Sequence, residues 1–377
     1  MVNEERIRKA FSELVRIDSE SYREREIGKN VAQRLRDLGL EVTTETGTDR
    51  AYLEAHPESH PNIYALLKGN APGEPVLFSS HLDTVSPGVG KRAVIDEDGT
   101  IRPAGDTVLG ADDVAGIVSI LEALAVLRES GAAHPDIEVL ITPAEEPFCE
   151  GSQYFDFSMV RSKTAYVLDL TGPIGTAAVA APTIFSFTAE IRGKAAHAGF
   201  APETGINALT ITAEALRQIP TGHVGPGTTV NIGTIAGGTA NNIVPESVRL
   251  TGEVRSLDHE EAVRKMRDIF EVFDSAARNA GGAAFCRQDE QSIRAYRVDS
   301  DARVIRRFER ACEAEKLDCR LIDTLGGSDA NRMNEVGIPA IVAACAMQNV
   351  HSTAEYTRVS DLRKSAELTL RLMTIRE

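Results

Sequence analysis

The sequence predicts an α/β fold: a mixed, mainly parallel sheet flanked by helices, with a separate α+β unit inserted into the chain. Two observations carry this. Apolar runs at IYALL (63–67), PVLFSS (75–80), IEVLIT (137–142), AYVL (165–168) and PAIVAAC (339–345) are almost unbroken, with helical periodicity between several of them. Strands of that kind, separated by helices, belong to a sheet covered on both faces. The middle of the chain differs. TIFSFTAEIRG (183–193), TTVNIGTIAGG (228–238) and ESVRLTGEVRS (246–256) alternate apolar with polar residues, as half-buried strands do.

Taken in order, residues 4–17 and 23–38 are charged and periodic and read as helices, the second ended by Gly39. DVAGIVSILEALAVLRES (113–130) reads as an apolar helix between two buried strands. Helical segments at 203–218 and 258–279 lie among the alternating strands. The helix, strand, helix order then resumes through 300–316, 339–345 and 360–375. The expected domains are therefore 1–180 with 294–377, and an inserted 181–293. There is no internal repeat or low-complexity linker.

At 377 residues the chain is longer than one hydrophobic core usually grows, which agrees with two domains. Its net charge of −15 repels nucleic-acid phosphates and anionic lipid, so no nucleic acid or membrane partner is expected and the substrate should be small. MVNEERIRKAFSELVRI reads as an amphipathic helix rather than a signal peptide. The longest apolar stretches, such as IVSILEALAVL, fall short of a membrane span. Five cysteines, odd in number and without CxxC spacing, argue against a disulfide framework or a thiolate metal site. A reducing, cytoplasmic location is expected.

The chemistry concentrates at strand ends. His81 and Asp83 follow VLFSS, Glu145 and Glu146 follow VLITPA, Asp169 follows AYVL, and His351 closes the segment after AIVAAC. Open α/β sheets place their sites there. Asp112 stands at the start of the 113–130 helix, where amides can support a carboxylate. Taken singly, each has an ordinary alternative: a helix cap for Asp112, a surface charge for Glu145 or Glu146, a paired core histidine for His81. Jointly they point to a cation, because carboxylates converging without one would repel. Imidazole and carboxylate ligands suit zinc, with cobalt or manganese as alternatives.

HLDTV, LGADDVAG, AEE, a lone Asp after an apolar strand and NVHSTAEY occur in the order seen in the co-catalytic zinc peptidases typified by peptidase T and carboxypeptidase G, which the chain resembles. RGKAAHAGFAPETGINAL, AGGTANNIVPE, TGEVRS and GGSDAN are similar to peptidase T-like members in particular. The likeness spans nearly the whole chain.

The resemblance implies a zinc-exopeptidase-like fold whose inserted domain serves as a lid and dimerisation unit of a homodimer. It implies two zinc ions bridged by Asp112, with His81 and Asp169 completing one site and Glu146 and His351 the other. Asp83 would orient His81. Glu145, free of metal, would carry a proton from water to the leaving amine. His197 would stabilise the tetrahedral oxyanion from across the dimer interface; the alternative is an exposed loop histidine. Arg255 and Asn242 would bind a carboxylate or carbonyl of the substrate; the alternative for Arg255 is an ordinary strand surface charge. Gly327, Ser328 and Asp329 would form a tight turn that touches substrate, or a plain turn.

The implied activity is hydrolysis of short peptides by an aminopeptidase of the tripeptidase kind. A carboxypeptidase or N-acyl-amino-acid deacylase would use the same residues, and a binding protein without catalysis would have no need of Glu145. Three departures stand out: Pro147 and Phe148 where a Gly is usual after the paired glutamates, Val114 in ADDVAG where Lys is usual, and Ala or Cys in ACAMQNVHS where Gly is expected. His56, His60, His134, His223 and His259 have no partner pattern and receive no role.

Overall fold

A computed structural model describes residues 1–44 and 47–375. α1 (Glu4–Val15) begins where the Asn3 side chain accepts the amides of Glu5 and Arg6, and it buries Ile7, Phe11, Leu14 and Val15 along one face. α2 (Arg25–Asp37), β1 (Glu41–Thr43), α3 (Arg50–Ala55), β2 (Ile63–Leu67), β3 (Val76–His81), β4 (Ala93–Ile95) and β5 (Thr100–Pro103) follow. α4 (Ala111–Ser130) is apolar all round and is buried from Ala111 to Leu127, as a helix without a polar face must be. Next come β6 (Ile137–Thr142), α5 (Glu150–Gln153), β7 (Ala165–Thr171) and β8 (Thr176–Ala181).

The middle section holds β9 (Thr183–Arg192), α6 (Ala208–Leu216), β10 (Gly222–Gly225), β11 (Thr228–Gly237), β12 (Ser247–Ser256), α7 (His259–Asn279) and β13 (Ala284–Ile293). The chain ends through β14 (Tyr296–Arg297), α8 (Arg303–Ala314), β15 (Arg320–Asp323), α9 (Asp329–Glu335), β16 (Ala340–Met347), β17 (Thr357–Arg358) and α10 (Val359–Thr374). Contacts divide it into two compact units. One comprises Met1–Ala180, Arg297–Thr324 and the chain from Ser328 onward; the other comprises Ala181–Tyr296 and Leu325–Gly327.

The first unit is built on a sheet of order β1-β2-β6-β3-β7-β16-β8-β14, with β15 on β8. Its centre, β6-β3-β7-β16, is parallel, while β2 on β6 and β8 on β16 are antiparallel. The carboxyl ends of the four central strands therefore share one edge. α4 packs against β3, β7 and β16, and against α1 and α10 on its other side.

The second unit is a wholly antiparallel sheet of order β10-β11-β12-β9-β13. Phe185, Phe187, Ala189 and Ile191, alternate residues of β9, join Ile211 of α6 and Met266, Phe270 and Phe273 of α7 in one core. The period-2 pattern in the sequence has this origin. β13 escaped the sequence reading because it is an edge strand: AFCRQDEQSI is mostly exposed and shows no alternation. The helix expected over 203–218 begins later. Pro202–Thr204 is a separate 3₁₀ turn, and α6 starts where the Asn207 side chain accepts the amides of Leu209 and Thr210.

Candidate metal centre

The strand order brings the strand-end residues together. His81 ends β3, Asp169 lies within β7, Glu145 and Glu146 follow β6, and His351 follows β16. Asp112 joins them from the first turn of α4, where Asp112 (φ −81, ψ 99) and Asp113 (φ −124, ψ 35) leave helical geometry across a cis peptide. His81 Nε2 lies 3.0 Å from Asp112 Oδ1 and 3.7 Å from Asp169 Oδ1. His351 Nε2 lies 3.2 Å from Asp112 Oδ2 and 2.9 Å from Glu146 Oε2. Two groups result, His81–Asp112–Asp169 and Asp112–Glu146–His351, each with its ligand atoms within 4.8 Å of one another, and Asp112 belongs to both.

The donors fit a pair of divalent cations. Among the described residues their ion-pair partners are histidines rather than Lys or Arg, and Glu146 Oε1 is buried without a hydrogen-bond partner. The electrostatics say the same. Burial, reinforced by neighbouring carboxylates, pushes Asp169 up to about 7 and raises Glu146. Hydrogen bonds to Asp112 and Glu146 lift His351 to about 10. For Asp112 burial acts upward, but His351 and His81 outweigh it and hold the group below its ordinary value. This is a site short of positive charge.

The His81 imidazole is set by its own chain. Nδ1 lies 3.0 Å from the Asp83 carbonyl, which can only accept, so Nδ1 carries the proton and Nε2 keeps its lone pair for a cation. The Asp83 carboxylate is farther, 3.4 Å from Nδ1. It accepts instead the amides of Glu145 (2.9 Å) and Glu146 (3.2 Å) and the Ser21 hydroxyl (2.8 Å). The expected orienting of His81 thus falls mainly to the Asp83 main chain, while its side chain pins the glutamate loop.

That loop needs pinning. Ala144, Phe148, Cys149, Ala346, Asn349 and His351, all in segments carrying site residues, have φ between +45° and +77°. Each left-handed non-glycine residue costs about 1–2 kcal/mol. Phe148 stands where the resemblance calls for Gly and has the left-handed backbone that favours it; in ACAMQNVHS, where Gly is expected at an Ala or Cys, Ala346 has such a backbone too. Ala144 is held by the buried carboxylate of Glu24, which accepts its amide at 3.1 Å. Glu145 is buried, its amide on Asp83 and the Cys149 thiol 3.4 Å from Oε1; burial raises its carboxyl well above the usual range.

The remaining expected residues fall elsewhere. In the second unit His197 is exposed, its ring stacked on Phe200 at 4.1 Å. Its Nδ1 accepts the amides of Gly199 (3.1 Å) and Phe200 (3.2 Å). Asn242 adjoins it, since the Ala198 amide donates to the Asn242 carbonyl at 2.9 Å. The Arg255 guanidinium is already engaged, bidentate on Glu253 at 2.8 and 3.0 Å and on the Leu325 carbonyl at 3.0 Å. The tight turn expected at Gly327, Ser328 and Asp329 is instead a helix start. Ser328 caps α9 in a reciprocal pair with Asn331, and buried Asp329 accepts the Thr142 hydroxyl at 2.5 Å.

Sequence reasoning passed over Asp113, Glu24 and Glu355. Asp113 is buried and accepts the Ser80 hydroxyl and the amides of His81 (3.3 Å) and Gly116 (3.1 Å), tying β3 to α4. Its adjacency to Asp112 in LGADDVAG was the available signal. Glu24 opens a charged helical stretch and gives none.

A model of the peptidase dimerisation domain matches residues 179–281, and one of peptidase family M28 matches residues 62–214. The chain is 36% identical to the uncharacterized protein YqjE of Bacillus subtilis over 99% of both chains, and 24% identical to peptidase T of Clostridium perfringens over 98% of both. Among solved structures it is similar to a tripeptidase from Staphylococcus aureus (31% identity, TM-score 0.94) and to the aminopeptidase PepT from Bacillus cereus (36% identity, TM-score 0.90). Each covers 99% of this chain and 98% of that one. With two carboxylate and imidazole groups sharing Asp112, and with such relatives along its whole length, the chain belongs to the dinuclear metallopeptidase family that includes peptidase T and is a metal-dependent peptide hydrolase of the aminopeptidase kind.

Proposed function

We propose that this protein removes the N-terminal residue from short peptides, tripeptides above all, using two zinc ions held by His81, Asp112 and Asp169 and by Asp112, Glu146 and His351. The observation that carries this reading is that Asp112 belongs to both candidate ligand groups, with the buried Glu145 beside them in neither. Two divalent cations bound there would polarise the scissile carbonyl and acidify the attacking water. Glu145 takes the proton from that water on its carboxylate and returns it to the departing amine nitrogen. His197 Nδ1 faces two amide donors, so its proton sits on Nε2, free to donate to a developing oxyanion. Asn242, on the adjoining segment, offers side-chain amide hydrogens to a substrate carbonyl.

The match of residues 179–281 to a dimerisation domain supports a homodimer. Among the described residues no helix is long and apolar enough to cross a membrane, and the five cysteines are free, which supports action in the cytoplasm. A substrate carboxylate would have to displace Glu253 from Arg255. That weighs toward recognition of a free ammonium over a carboxypeptidase or deacylase reading.

A panel of free tripeptides, amino-blocked tripeptides and N-acyl amino acids, assayed with zinc, manganese or cobalt restored to metal-free protein, tests the proposal. Free tripeptides should be cleaved and the blocked compounds left intact. Equal turnover of amino-blocked peptides would overturn the aminopeptidase assignment.

A further inference from the structure

NVHSTAEY contains an acidic residue that the metal assignment leaves unused. Glu355 is 1% exposed and pairs with main-chain amides rather than a base. Its Oε2 accepts the amides of Leu109 at 2.7 Å and Gly110 at 2.8 Å, and its Oε1 accepts the amide of Asp112 at 2.9 Å. These amides run from the two residues before α4, Leu109 and its N-cap Gly110, into the first turn at Asp112, where N–H groups have no partner within the helix. Three of them converge on one carboxylate, an arrangement that suits a negative charge. Gly110, at φ +76°, allows the turn to close around it.

The placement couples two site elements. His351 and Glu355 lie four residues apart in a turn closed by the Glu355 amide on the Ser352 carbonyl at 3.1 Å. One end of this turn meets the Asp112 carboxylate through His351 Nε2 at 3.2 Å, and the other holds the Asp112 amide. Asp112 is thus gripped at side chain and backbone by one five-residue segment. Asp112 departs from helical φ and ψ at this helix start, and its amide is held by the Glu355 carboxylate.

We propose that Glu355 is a positioning residue of the metal centre: its carboxylate sets the aim of Asp112 between the two ligand groups, so that without it the Asp112–Glu146–His351 group loses its ion while the fold persists. The inference rests on Asp112 being the shared ligand. Gln at this position keeps the shape, but its NH₂ would oppose an amide hydrogen and its charge is gone.

The test compares wild type, Glu355→Gln and Glu355→Asp by bound zinc per chain across a chelator-buffered zinc series, and by the thermal midpoint of metal-free protein. Glu138→Gln is the control for a buried carboxylate that only supports the fold. Glu138 is 0% exposed, accepts the amides of Arg161 (3.0 Å) and Ser162 (2.8 Å), and lies toward the opposite end of β6 from the site. Glu355→Gln should hold one zinc where wild type holds two, its second affinity lowered roughly 10- to 100-fold, the usual effect of losing a ligand's support. Its metal-free midpoint should fall no further than that of Glu138→Gln, which should keep both ions. Glu355→Asp, charged but one methylene short, should lie between; if Glu355→Gln does not fold, this variant carries the test alone. Wild-type affinity for the second zinc in either Glu355 variant overturns the proposal. So does a metal-free destabilisation of Glu355→Gln beyond the control with metal affinity unchanged. A wild-type chain that holds a single ion overturns the dinuclear reading itself, and this inference with it.

Discussion

Two adjacent glutamates differ through their partners. Glu146 meets His351 Nε2 at 2.9 Å and keeps a buried, unpartnered oxygen, whereas Glu145 has no histidine partner among the described residues and only the Cys149 thiol against its carboxylate. The first arrangement suits a ligand and the second a base. Glu145→Gln preserves shape and removes the proton acceptor. Turnover should fall by roughly 10²–10⁴, the scale of a lost general base, with two metal ions still bound by elemental analysis. Loss of metal in Glu145→Gln with retention in Glu146→Gln would show that the two roles are exchanged. At this scale the sequence is informative about which groups are present, because their types follow directly from the chain. It places Asp83 beside His81 but is silent about its carboxylate, which serves the amides of residues 62 and 63 positions away.

Helices here end in a repeated way. After α2, Gly39 donates to Arg36 and Leu40 donates to Leu35; after α9, Gly337 donates to Asn334 and Ile338 donates to Met333. Both glycines have positive φ. α8 closes by the same paired bonds, Lys316 to Glu313 and Leu317 to Cys312, but with an exposed lysine at φ +56° in place of glycine. The left-handed cost of about 1–2 kcal/mol exceeds the flexibility cost of a glycine, about 0.5–1 kcal/mol. Lys316→Gly should therefore stabilise the protein by roughly 0.5–1 kcal/mol in denaturant unfolding, with activity unchanged. A lower midpoint would refute the argument, since the exposed lysine has no packing to lose. The stop at Gly39 was legible from its residue type, whereas α9 went unread because its start depends on a reciprocal bond between Ser328 and Asn331.

The whole molecule has two units of different construction, and the proposed activity draws on both. If His197 serves the partner's site, each subunit of a two-fold dimer lends one and receives one. Mixing inactive Glu145→Gln and His197→Ala proteins, with demonstrated subunit exchange, should then restore activity. Half the dimers are mixed, and in each one site has both defects and the other none, so recovery should approach about a quarter of wild type. Exchange without recovery would place His197 in its own chain's site and leave the metal assignment intact.

The sequence by itself determined the class of the fold and which candidate ligand groups the chain carries. An apolar run specifies a buried strand through its own composition, and covalent order sets His81, Glu145, Glu146 and Asp169 at or just beyond such runs. Only the tertiary structure decided that β6, β3, β7 and β16 lie side by side, which gathers their ends at one edge. Only it paired the Glu355 carboxylate with amides 243 to 246 residues away. Such pairings are chosen by the meeting of surfaces across the fold, and a buried carboxylate or a polar edge strand such as β13 leaves no periodic trace in its own neighbourhood by which they could be read.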